Sequence, residues 1–396
     1  MNLKFSDRIS TLQPSAIREI LKVTQDPSVL SFAAGNPAPE SFPAKEMAQI
    51  AEEIFANDSS QALQYGVSEG YTPLRERTAA RMKNKYGVGR TFDDVIIASG
   101  GQQVIEMTAK AFLNEGDVVL CEMPSFIGAL NAFRSYRAKL IGIPMDEDGM
   151  DMDVLERTLQ TTPNVKLIYT IPTFQNPSGR VLSLARRKRM LALAAQYNVL
   201  ILEDSPYFEL RFEGESIPPI KSLDEEGRVI FSGSYSKILS PGIRVGFVVA
   251  HRDIVAKLTV AKQVADVHTN LFFQMIVDRY LERYDLDAHI AGICKLYRER
   301  ANTMADAMEE SFDGLARFER PMGGLFLWCM LPDGYDGMEF CRRAGARKVA
   351  AVPGSAFSVD EREMIPAFRL NYSLPNCDQI RQGIGILSEV LHEYVK

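Results

Sequence analysis

Little in this chain of 396 residues points to a metal or to an oxidising compartment. The four histidines are dispersed and show no ligand spacing. The five cysteines (Cys121, Cys294, Cys329, Cys341 and Cys377) are odd in number, scattered, and form no Cys-x-x-Cys pair. The expectation is no metal site, and reduced thiols in a cytoplasmic protein. No apolar run approaches the roughly 20 residues needed to cross a bilayer, and the opening MNLKFSDRIS has no apolar signal-peptide core. Blocks of positive charge are scarce as well. A net charge of −6 disfavours nucleic acid as the main partner, because binding a phosphate backbone needs a basic face. The one basic cluster, RRKRM at 186–190, lies in an apolar-periodic helix and reads as that helix's solvated face. Neither an internal repeat nor a low-complexity tract is visible.

With 46% hydrophobic and 24% charged residues, the composition is that of a soluble globular protein, long enough for two domains. Between about Glu46 and Asp278, short apolar strands alternate with helices. The strands fall at 94–98 (DVIIA), 118–122, 166–170 (KLIYT), 199–202 (VLIL), 228–232 (RVIFS) and 246–250 (GFVVA). That alternation predicts an α/β fold class: a mostly parallel sheet with helices on both faces. Beyond Asp278, charged helices run to Phe312, and strands are expected at 316–319, 325–330 and 368–372.

The chain's chemistry centres on 231–248, FSGSYSKILSPGIRVGFV. Lys237 is flanked by the hydroxyls of Ser234 and Ser236, and Arg244 follows seven positions later. A guanidinium fork and hydroxyls suit a phosphate, while an amine held partly uncharged attacks a carbonyl carbon. One loop can thus take the aldehyde and the phosphate of a single small molecule, which points to a Schiff-base lysine for pyridoxal 5′-phosphate. The bland reading, a Ser/Gly/Pro turn beside a solvated lysine, fits each residue singly but not the set. The strand at 94–98 ends in SGGQQ and a helix from Val104 to Leu113, an anion site in which Gly101 and Gln102 donate, completing a phosphate cup. Asn176-Pro177 and Gly179 form a turn at a strand's C-terminal end, where open α/β sheets bind ligands. Asp204 ends another apolar strand. A carboxylate there is costly unless paired, and a pyridinium N–H would be such a partner. The alternative for Asp204 is a helix cap or surface turn.

Ser-x-Ser-Lys followed by Ser-Pro-Gly-Ile-Arg-Val-Gly-Phe resembles the cofactor-lysine segment of class I aminotransferases, within the fold type I enzymes that use pyridoxal 5′-phosphate. The likeness is strongest to the subgroup with 2-aminoadipate and aromatic aminotransferases, and runs from Ser15 to the Arg369 region. It implies an N-terminal arm and lid helix at 1–40 that joins the small domain, a large cofactor-binding domain at 41–280, and a small α+β domain at 281–396. It also implies roles for single residues. Phe126, where the family commonly has Tyr, would stack on the pyridine ring, and Asn176 would hydrogen-bond the phenolic oxygen, with Tyr207 near it. Arg369, in FRLNYS, would grip the substrate α-carboxylate, and Gly35 would let backbone approach the substrate. Tyr65 would reach the phosphate of a neighbouring subunit in a homodimer. Arg18, in SAIREIL, would turn towards acidic substrate side chains from a mobile helix. The bland readings are a half-buried aromatic for Tyr65, an exposed edge-strand residue for Arg369, and an intrahelical ion pair for Arg18. Ala34, Asn36 and Gly101 depart from the family's usual Gly, Leu and Ser.

The activity implied is transfer of an amino group from an L-amino acid (2-aminoadipate, aromatic or aliphatic) to a 2-oxo acid, with 2-oxoglutarate the expected acceptor. Lys237, Asp204 and Tyr207 would be the catalytic residues, and turnover would be ping-pong. Two alternatives share the fold: a β-C–S lyase that releases pyruvate and ammonia, and a transcription regulator with an aminotransferase-like domain. The regulator requires an N-terminal DNA-binding module, and this chain is expected to start at the aminotransferase arm.

Overall fold

The computed structural model describes residues 3–10, 12, 26–360 and 362–395. The expected helix around Ser15, and Arg18 with it, lie outside the described residues.

In chain order the strands are β1 (Leu30–Ser31), β2 (Asp93–Ala98), β3 (Val118–Met123), β4 (Lys139–Asp146), β5 (Gly149–Met150), β6 (Val165–Thr170), β7 (Leu200–Asp204), β8 (Val229–Ser234), β9 (Gly246–His251), β10 (Arg317–Phe318), β11 (Phe326–Met330), β12 (Val349–Ala350), β13 (Val352–Pro353) and β14 (Ala367–Asn371). The interior strands are near-continuous apolar runs, as a sheet covered on both faces requires. Eight of them form one sheet in the order β2-β9-β8-β7-β6-β3-β4-β5. Pairs β3/β4, β3/β6, β6/β7 and β7/β8 are parallel. Strand β9 runs antiparallel to both β2 and β8, so β2 points the same way as β8. The C-terminal ends of β2, β3, β6, β7 and β8 therefore open onto one edge of the sheet, where ligands bind in such folds.

Helices between the strands cover the sheet, and several begin at a side-chain cap the sequence supplies. Asp151 accepts from the Asp153 and Val154 N–H groups to start Met152–Thr161, and Asn376 with Gln379 forms a capping box ahead of Cys377–Tyr394. A second, antiparallel sheet has the order β10-β11-β14-β13. The segment after residue 26 crosses to this part of the chain, where Leu30 and Ser31 pair with Val349 and Ala350.

The basic cluster at 186–190 is not simply a solvated face. Arg187 is fully buried, and its guanidinium donates to the carbonyls of Leu182, Pro172 and Pro218 and to Thr173 Oγ1. Lys188 and Arg189 are exposed as expected. Helical periodicity turns Arg187 inward beside Met190, and four oxygens offset the cost of burying its charge.

Candidate active site

A cavity of about 270 Å³ lies at the sheet's C-terminal edge, and twelve of the residues singled out in the sequence line it. One wall is the loop after β8. There the Ser236 N–H donates to Ser234 Oγ (3.1 Å), and the Lys237 ammonium donates to the Gly35 carbonyl (2.8 Å). Burial lowers the Lys237 pKa from 10.5 to about 8, and the positive charges of Arg244 and Arg369 push it the same way.

Asp204 ends β7 at the floor of the cavity and is 5% exposed. It caps no helix and sits in no surface turn. The Tyr169 hydroxyl donates to its Oδ2 (3.0 Å), and no Lys or Arg pairs with it among the described residues. Burial therefore pushes its carboxyl from 3.8 up to about 6 despite the hydrogen bond. Tyr207 lies edge-on to Phe326, with centroids 5.7 Å apart, and burial raises its hydroxyl pKa.

Arg369 stands in β14 between β11 and β13, so it occupies an interior strand and not an edge. It is 3% exposed. Its Nη1 donates to Asn176 Oδ1 (2.7 Å) and its Nη2 to the Ala33 carbonyl (2.6 Å). The guanidinium carbon lies 4.1 Å from the Phe326 ring centre and 4.9 Å from that of Phe357. Nε has no partner among the described residues. Burial lowers the Arg369 pKa to about 10, which leaves it charged at neutral pH.

At the opposite end, Gly101 opens the helix Gly101–Phe112, so the first N–H groups of that helix lack intrahelical acceptors. Arg244 sits beside this turn at φ 54°, and its Nη2 donates to the Ser99 carbonyl (3.0 Å). A Cβ on Gly100 (φ 82°) would meet Arg244 Nη2 at 2.3 Å, so only glycine allows this approach. The Gln102 side chain turns away to the Gly128 carbonyl (2.9 Å), which leaves its backbone N–H for the cup. Phe126 immediately precedes the helix Ile127–Ser135 and also lines the cavity.

One expected residue stands apart. Tyr65 is 81% exposed, edge-on to His268, and does not line the cavity of its own chain. Arg18 lies outside the described residues. Conversely, several contributors escaped the sequence reading. Tyr169, the penultimate residue of β6, looks like any strand aromatic. Gln175 precedes the asparagine and closes its loop, accepting from the Ser178 N–H and hydroxyl and donating to the Pro124 carbonyl. Position next to Asn176 was the only signal for it. Phe326 comes from the second sheet and carried none.

The lining fits pyridoxal 5′-phosphate. A buried carboxylate without a cation suits a ring nitrogen, an amine whose pKa burial lowers suits the aldehyde, and the helix start with Arg244 suits the phosphate.

The sequence profile described as aminotransferase class I and II matches residues 27–385. The aromatic-amino-acid aminotransferase 1 of Thermococcus litoralis is 42% identical, covering 99% of this chain and 95% of that protein. Two solved structures are also similar. The Pyrococcus horikoshii kynurenine aminotransferase, in complex with PMP, has a TM-score of 0.95 at 40% identity, covering 99% of this chain and 98% of that one. The alpha-aminoadipate aminotransferase of Thermus thermophilus, complexed with N-(5′-phosphopyridoxyl)-L-leucine, has a TM-score of 0.90 at 37% identity, covering 98% and 97%.

Proposed function

This chain belongs to the class I and II aminotransferases and is a pyridoxal-phosphate-dependent transaminase, and from that premise we propose how its own residues carry the reaction and which substrates it takes. When bound, the cofactor supplies a carbonyl carbon for amines and an electron-accepting ring. Lys237 is the covalent anchor and then the proton carrier, taking the proton from the donor's Cα as a neutral amine. Its lowered pKa supports this role, because an ammonium of ordinary pKa would be almost wholly protonated at pH 7. Asp204 would keep a proton on the ring nitrogen, and Asn176 and Tyr207 would serve the phenolic oxygen. Phe126 would hold the ring face. Ser234, Ser236, Arg244 and the N–H groups of Gly101 and Gln102 would take the phosphate. Arg369 holds the α-carboxylate together with Asn176, beside the Gly35 backbone. By fixing the carboxylate, Arg369 would favour loss of the Cα proton over loss of CO₂. The observation that carries this reading is the convergence of Lys237, unpaired Asp204 and buried Arg369 on one cavity.

The proposed donors are 2-aminoadipate, aromatic and aliphatic L-amino acids, the acceptor 2-oxoglutarate, and the working unit a homodimer in the cytoplasm. Exposed Leu63, Tyr65, Val67, Val264 and Val267 support a covered apolar face beside the phosphate cup. The purified holoenzyme, assayed with a panel of L-amino acids and 2-oxoglutarate, is expected to form glutamate with parallel-line kinetics. Pyruvate and ammonia released without any acceptor would overturn the proposal in favour of lyase chemistry.

A further inference from the structure

Behind the Ser99–Gly101 turn lies a buried cation that the chemistry above does not use. Lys262, in the last turn of the helix Arg252–Ala265, is fully buried. Its ammonium donates to Gln103 Oε1 (2.8 Å), to both oxygens of Asp266 (2.9 and 3.0 Å) and to Thr269 Oγ1 (2.9 Å). Each of these partners leads back to Ser99. Asp266 Oδ2 accepts from Ser99 Oγ (2.7 Å), Thr269 Oγ1 lies 3.0 Å from the same hydroxyl, and Gln103 Oε1 accepts from the Ser99 N–H (2.7 Å). The remaining polar atom of Ser99, its carbonyl, takes Arg244 Nη2 at 3.0 Å. Every polar atom of Ser99 is therefore held from one side by the lysine cluster or from the other by Arg244.

An ion pair whose lysine is fully buried while its aspartate is only partly so is a poor device for stability alone, since desolvating the ammonium consumes most of the attraction. This pair is also neutral as a unit and adds little field at the cup. What it can add is position. The turn it grips contains Gly100 in the left-handed region, and Arg244, which reaches across that turn, has a positive φ as well. Such backbone persists only where its surroundings over-determine it.

We propose that Lys262 and Asp266 are positioning residues which, through Ser99, hold the Gly101 helix start and Arg244 in register for the cofactor's phosphate, and so set phosphate-specific affinity. The proposal rests on the reading of this cavity as the pyridoxal 5′-phosphate site. Its test compares two ligands on the cofactor-free protein, pyridoxal 5′-phosphate and pyridoxal, which lacks the phosphate, each titrated by visible absorption. Lys262→Met, and Ser99→Ala as a variant that keeps the ion pair and the Ser99 N–H bond to Gln103 but removes the hydroxyl link of Asp266 and Thr269 to the turn, are expected to weaken the phosphorylated ligand about 10-fold or more, while pyridoxal changes less than about twofold. Equal weakening of both ligands would reduce the cluster to a structural support and overturn the proposal. So would variants that keep the wild-type preference for the phosphate, which makes Ser99→Ala decisive where Lys262→Met fails to fold. A wild-type protein that binds both ligands alike would instead overturn the phosphate reading of the cup, and the proposal with it.

Discussion

Replacing Asp204 with Asn should make the cofactor-free protein more stable while it makes the enzyme far slower. Burial holds the Asp204 carboxyl at about 6, against 3.8 in the unfolded reference, and no cation among the described residues offsets it. Because the folded value is the higher one, the folded chain binds the proton more tightly, and stability falls as pH rises from 3.8 to about 6. At about 1.4 kcal/mol per pH unit, keeping the charge buried above that window costs about 3 kcal/mol as an upper bound. Asn removes the charge, and its carbonyl can still accept from the Tyr169 hydroxyl. Part of the gain is lost to desolvating the new amide, leaving about 1–2 kcal/mol. Urea unfolding of the cofactor-free wild type and Asp204→Asn, at pH 7.5 and again near pH 4, measures this. The variant should gain at the higher pH, and its advantage should shrink towards zero at the lower. In the loaded enzyme, loss of an electrostatic stabiliser should lower kcat about 10²–10³-fold, with a smaller change in cofactor affinity, which the phosphate contacts carry. A variant less stable at pH 7.5, or an advantage that does not shrink in acid, would show that the carboxylate is already satisfied and that its electronic role is misread.

Lys237→Ala should remove the visible absorption of the lysine-bound cofactor and nearly all transamination, and a coloured, fully active variant would refute the assignment. With the Lys237 pKa at about 8, only the neutral amine attacks a carbonyl. The rate at which cofactor-free protein captures pyridoxal should therefore climb about tenfold per pH unit below pH 8 and level off above it; stopped-flow absorbance would show a rise continuing past pH 10 if the lysine were unperturbed. Arg369→Gln should raise KM for amino and 2-oxo acids about 10–100-fold through loss of a charge-assisted fork, with the cofactor spectrum unchanged; equal loss of cofactor would make Arg369 structural. Tyr65→Phe should weaken cofactor retention without altering the dimer, measured by light scattering and dialysis. A fully active monomer would remove the reason to place Tyr65 at a partner's phosphate.

Much of this arrangement is local and can be read from the chain itself. Apolar strands capped by Ser-Gly-Gly, Pro-Ser-Phe, Asn-Pro and Asp-Ser-Pro, with a lysine between two serines and an arginine, carry their chemistry within a few residues of each strand end. In a parallel sheet those ends share one edge, so the order of strands scarcely matters to which residues meet. Other decisions belong to contacts between distant segments. Arg369 has the local pattern of an edge strand, and pairing of β14 with both β11 and β13 buries it against Phe326 and Phe357. Arg187 sits in a basic run, and the loop at 172–182 makes it an interior donor. Lys262 has an ordinary helical position, and Ser99, more than 160 residues earlier, turns it into the anchor of the cup. Burial of a charge depends on which carbonyls and carboxylates the fold brings to it, and no spacing along the chain encodes that.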